Sequence, residues 1–133
     1  MKLFAFVLMP SHLHAITLPE NRKINELIRD FGSFTAHAIL TQLKNEGQEE
    51  LLDFFHKKRR DERSAYSVWQ DIQAVNIYSD KFLNQKLEYI HQNPVSKKWN
   101  LVKDRADYIY STSGFYDCDR PAIIEIDDIR DFY

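Results

Sequence analysis

The chain has 133 residues, 44% of them apolar, and a formal net charge of −2. That length fits one domain spanning 1–133, able to bury roughly two-thirds of the surface its unfolded chain exposes. A single cysteine, Cys118, excludes an internal disulfide, and neither a signal peptide nor an apolar run long enough to span a bilayer is visible, so a soluble cytoplasmic protein is expected.

Lys2 to Met9 is aromatic and β-branched enough for a strand. Pro10-Ser11 breaks it, and His12 to Leu18 reads as the next strand, so the two should pair as a hairpin closed by Pro19. Glu20 to Asn45 has helical spacing. Ile24, Leu27, Ile28, Phe31, Phe34, Ala38 and Ile39 fall on one stripe, expected to be the buried face, and Gly32 could kink or divide this helix. Glu49 to Phe55 reads as a short helix, followed by an exposed loop through Ser67. Val68 to Ile77 is expected to be extended, with Trp69 and Val75 as anchors. Ser79 or Asp80 can cap a helix from Asp80 to Gln92 whose core stripe is Leu83, Leu87 and Ile90. Pro94 stops it, because the residue before proline avoids helical geometry. The aromatic tail, with Trp99, Tyr108, Tyr110, Phe115 and Tyr116, should wrap the same domain.

Charge is unevenly spread. Residues 117–133 form an acidic tail, with six acids and two bases; the remaining chain holds 16 bases against 14 acids. Its densest basic stretch runs from Lys57 through Lys58, Arg59 and Arg60 to Arg63. Such a run can contact phosphates, or it can be a solvated loop.

Residues two apart on a strand share a face, so His12 and His14 project together and can hold one divalent cation. Packing histidines can also show this pattern, and two ligands do not complete a catalytic site. No His-Glu-x-x-His and no cysteine cluster is present. On the Asp80–Gln92 helix, Tyr89 and Asn93 lie four apart on a common face shared by Lys86. That face offers a phenol, a carboxamide and a cation. A half-buried packing tyrosine is the alternative for Tyr89.

Met9-Pro10-Ser11-His12-Leu13-His14 resembles the Met-Pro-Asn-His-x-His signature of HUH single-tyrosine transposases. Lys86-Leu87-Glu88-Tyr89-Ile90-His91-Gln92-Asn93-Pro94-Val95 resembles their tyrosine-helix motif, and Asp107-Tyr108-Ile109-Tyr110-Ser111-Thr112-Ser113 their Tyr-x-Tyr-Ser-Ser segment. The resemblance, nearest to the REP-associated and insertion-sequence members, runs from about Leu3 to Tyr116.

The resemblance implies an α+β, ferredoxin-like antiparallel sheet with helices packed on it. It implies that His12, His14 and Asn93 bind Mg²⁺ or Mn²⁺. Tyr89 would attack a phosphodiester in single-stranded or hairpin DNA, keep the 5′-phosphate and release a 3′-hydroxyl, the chemistry of DNA transposition and recombination. A homodimer is the expected assembly. Mn²⁺ suits two imidazoles better than hard Mg²⁺. Lys86 is expected to contact phosphate. Lys57, Lys58, Arg59, Arg60 and Arg63 could form a basic track, extended by Lys97, Lys98, Lys103 and Arg105. Trp69 and Trp99 could stack on bases, although core packing is the favoured reading for both.

Members of that family carry a strand and a helix before the strand that ends in the histidine motif, and here the chain starts with that strand. An N-terminal truncation is therefore expected, leaving an exposed sheet edge and an uncovered apolar face. A non-catalytic remnant that still grips DNA hairpins is the alternative to an enzyme. A phosphoesterase using water, with Tyr89 structural, is a third reading.

Overall fold

The computed structural model describes residues 1–59 and 61–132. Two compact units emerge, one made of Met1–Asn21 with the chain from Asn76 onward, the other of Arg22–Val75. No helix among the described residues is long and apolar enough to cross a membrane.

In the first unit, β1 (Lys2–Leu8) and β2 (Leu13–Leu18) form an antiparallel hairpin. Pro10 and Ser11 make the turn, closed by Met9 N–H donating to the His12 carbonyl at 2.8 Å. His12 thus lies one residue before β2 instead of opening it. Phe4, Ala5, Phe6 and Val7 are all buried in succession, so β1 is covered on both faces.

Helix α3 (Asp80–Gln92) has the expected bounds. The Ser79 hydroxyl accepts from Phe82 N–H at 3.2 Å and caps it. A 3-10 turn at Asn93–Val95 carries Pro94 and ends the α-helix. Leu83 and Ile90 join Phe4, Ala5, Val7, Met9, Ile16 and Ile129 in one core, with Leu87, Trp99, Tyr108 and Tyr116 packed against it. The aromatic tail does wrap this unit. Trp99 packs here, as favoured.

The free edge of β1 is not exposed. Segment Tyr110–Thr112 runs antiparallel to it, with a bridge between Val7 and Ser111. Leu8 N–H donates to the Tyr110 carbonyl at 2.8 Å, and Thr112 N–H to the Phe6 carbonyl at 3.1 Å. The Thr112 hydroxyl accepts from Phe6 N–H. The phenols of Tyr108 and Tyr116 donate to the Leu8 and Phe4 carbonyls, each at 2.8 Å. Asp127 takes both backbone groups of Leu3. Buried polar groups need partners, and the tail supplies them to the edge of β1. The open edge is the other one. Leu13, Ala15 and Thr17 pair across from the outward-bonded positions of β1, and no backbone partner on their far side occurs among the described residues. The sheet has two strands among the described residues, a mixed α+β arrangement.

Helix α4 (Ser113–Cys118) follows the Thr112 edge contact. A Cβ on Gly114 would sit 3.0 Å from the Ala106 carbonyl oxygen, and backbone cannot yield as a side chain does. Gly114→Ala is expected to cost about 1–3 kcal/mol, read as a lower urea midpoint at unchanged slope.

The second unit pairs α1 (Ile24–Asn45) with α2 (Glu49–Lys57). Gly47, at φ +67°, ends α1. Its N–H bonds Lys44 while Gln48 N–H bonds Leu43, the paired closure that satisfies the last carbonyls. Gly32 does not divide α1, which runs through it unbroken. A Cβ there would lie 3.3 Å from Ile72 and 3.8 Å from Trp69, so glycine admits that segment against the helix. Trp69 is half-buried, and its indole N–H donates to the Thr35 hydroxyl at 2.8 Å. The loop after α2 is mostly exposed, as expected. Val68–Ile77 forms no strand, and Val75, 65% exposed, anchors nothing. The α1 stripe is not a buried face either. Phe31, Phe34 and Ile39 are exposed, Phe34 at 76%, and only Gly32 is buried in this helix.

Candidate metal and nucleophile site

The β-hairpin and α3 bring four of the expected side chains together. His12 follows the turn, His14 lies two residues on in β2, and their rings meet edge to face at 5.0 Å between centroids. His12 Nε2 lies 3.3 Å from Asn93 Oδ1. The Asn93 amide Nδ2 donates to the Tyr89 carbonyl at 2.8 Å, which turns its oxygen toward the imidazole. The His14 ring meets the Tyr89 ring at 5.3 Å, again edge to face. Asn93 is buried, His12 and His14 are half-buried, and Tyr89 is 56% exposed. The fixed donors thus sit at the protein surface beside an accessible phenol.

The donor set suits a divalent cation. His14 is held below the usual histidine range by burial first, then by His12 and by the Lys86 charge. Its imidazole is therefore neutral near pH 7, the form that binds metal. Ser11 Oγ lies 3.1 Å from His12 Nδ1, leaving Nε2 toward Asn93. No three His, Cys, Asp or Glu side chains gather around a metal position among the described residues; the third donor here is an amide oxygen.

Lys86 shares the tyrosine's face, as expected. Its Nζ lies 5.9 Å from the Tyr89 ring centroid and 5.1 Å from that of Phe82. The basic run belongs to the other unit, and most of it is engaged locally. Lys57 pairs with Asp53 at 2.7 Å, Arg63 with Asp61 at 2.9 Å, and Lys58 lies over the Phe54 ring. Arg59 bonds both the ring and the carbonyl of His56. Arg60 lies outside the described residues. Arg105 does not serve a track: it is held by Glu88 at 2.8 Å and Asp117 at 2.6 Å, which ties α3 to α4.

Three features escaped the sequence reading. Trp99 packs its ring 5.6 Å from His12 and carries Lys98 above it. His91 is 1% exposed, and its Nε2 bonds the Thr112 hydroxyl at 2.9 Å. The Arg105 clamp joins residues 17 and 12 apart. Only long-range pairing reveals these, so no local spacing signals them. Comparison with protein-family models, curated proteins and solved structures finds no match to this chain.

Proposed function

We propose that this chain is a metal-dependent single-stranded DNA strand transferase of the HUH single-tyrosine type. One observation carries the reading: two imidazoles and an amide oxygen converge beside an exposed tyrosine, the only phenol in contact with His14 among the described residues. The Tyr89 oxygen attacks a phosphodiester phosphorus. A Tyr–O–P bond forms as the P–O3′ bond breaks, the phenol proton leaves to solvent, and the departing oxygen takes a proton to become a 3′-hydroxyl. Attack by a 3′-hydroxyl reverses these changes and reseals a strand, so no external energy source is required. His12, His14 and Asn93 would hold Mn²⁺ or Mg²⁺, which when bound polarises the scissile phosphate and offsets the charge that develops there. The Lys86 cation, 5.9 Å from the Tyr89 ring centroid, attracts the phosphate.

A ferredoxin-like framework, a homodimer and a cytoplasmic setting belong to the same proposal. The open edge of β2 and the exposed apolar residues of α1 support cover by a second copy, and the lone exposed Cys118 suits a reducing compartment.

The test is metal dependence. Hairpin-bearing single-stranded DNA incubated with the protein and Mn²⁺ should give a covalent adduct that survives denaturation. Chelation, His12→Ala or His14→Ala should each reduce adduct about 100-fold or more. DNA binding with no adduct under any divalent metal would replace the enzyme with a non-catalytic hairpin binder.

A further inference from the structure

Immediately before α3, Tyr78 is 82% exposed, and its ring stacks on Phe82 at 5.0 Å with the planes 20° apart. The usual staple at a helix start joins the residue before the cap to the fourth helical position, here Leu83. Leu83 is instead committed to the core, and Tyr78 lies on the third position with its opposite face turned to water. The Phe82 ring in turn carries the Lys86 ammonium at 5.1 Å, and Lys86 lies 5.9 Å from the Tyr89 ring. No carboxylate pairs with Lys86 among the described residues, while Glu88 of the same helix is taken by Arg105. The result is a continuous strip along α3: a free aromatic plane, a second ring beneath it, an unpaired cation, then the phenol.

This strip complements the chemistry of a single-stranded nucleic acid. A flat exposed ring offers a stacking surface to any base, and an unpaired ammonium beside it offers a phosphate contact. A purely apolar partner would leave Lys86 desolvated and unpaired. Phe82 and Tyr89 lie seven residues apart, about 10 Å along the helix axis, within reach of the nucleotides next to an attacked phosphate.

We infer that Tyr78, stacked on Phe82, is a base-stacking platform for single-stranded DNA flanking the phosphate at Tyr89, with Lys86 holding the intervening backbone. This rests on the strand-transferase reading for its direction, but its own chemistry is binding alone. It moves the DNA path from the Lys57–Arg63 run to the exposed face of α3.

The experiment measures anisotropy of a fluorescent oligothymidylate and of an abasic oligomer of the same length, with full-length protein carrying Tyr89→Phe to prevent cleavage. Tyr78→Ala should weaken oligothymidylate binding about tenfold and leave abasic binding unchanged, while Tyr78→Trp restores the tight binding. Lys86→Gln should weaken both and lower the slope of log affinity against log salt by about 0.7. The platform is overturned if the parent protein does not bind oligothymidylate, if Tyr78→Ala binds it equally well, or if both oligomers are lost in parallel. Tyr78-dependent binding in a protein that forms no adduct with Tyr89 intact would sink strand transfer and leave the platform standing.

Discussion

Tyr89→Phe is expected to abolish covalent attachment to DNA, on the order of 10⁴-fold or more, while leaving DNA affinity and thermal stability nearly unchanged. The size follows from the role. Phenylalanine keeps the ring and removes the one atom that forms the bond, and no neighbouring group substitutes for a lost nucleophile. The selectivity follows from the site. Tyr89 is 56% exposed and meets His14 through its ring, a contact that phenylalanine retains. The Asn93 amide bonds the backbone carbonyl of residue 89, not its side chain, so the donor cluster keeps its geometry. Stability should therefore move by less than about 0.5 kcal/mol, the range of surface substitutions. Adduct gels, anisotropy and a thermal melt on the same preparation check all three expectations. A structural tyrosine would give the opposite pattern, with altered stability and unaltered chemistry.

The second large effect is acid destabilisation. His91 is pushed down to about 4, first by burial and then by the Arg105 charge, with Asp117 and Glu88 opposing. The folded state therefore keeps His91 neutral between about 6.5 and 4, whereas the unfolded chain takes up a proton there. Stability is full above pH 6.5 and falls as pH drops through that window, by about 3 kcal/mol in all. His14, also held low, adds in the same direction. The neutral ring is functional in the fold. His91 Nε2–H donates to the Thr112 hydroxyl, which itself bonds both backbone groups of Phe6, so α3 is tied to β1 through one hydroxyl. His91→Gln retains a donor but does not titrate. The gap between urea midpoints at pH 7 and pH 4.5, with chelator present, should be clearly smaller for this variant than for the parent chain.

The hairpin and the tyrosine helix were legible because each is bounded by local chemistry. Pro10 interrupts an apolar run, Ser79 caps, and Pro94 terminates. The grouping of His12 with His14 and of Tyr89 with Asn93 was legible in their spacing, two and four residues apart, although His12 lies just before β2 and Asn93 just after α3. What the sequence concealed depends on distant partners. The edge of β1 is closed by Thr112 and Asp127, more than 100 residues from Phe6 and Leu3. The stripe on α1 is a true helical face, but periodicity names a face and not its cover, and Phe34 stays in water. Gly32 raised the expectation of a kink or division because glycine weakens helices; here its missing side chain admits Ile72 and Trp69.

The most direct test is the identity of the residue that carries the DNA. Protein incubated with hairpin-bearing single-stranded DNA and Mn²⁺, then digested with nuclease and protease, can be sequenced by mass spectrometry. The account predicts one peptide modified by a 5′-phosphonucleotide, the modification on Tyr89. A nucleotide on any other residue, or none with any divalent metal, would contradict it.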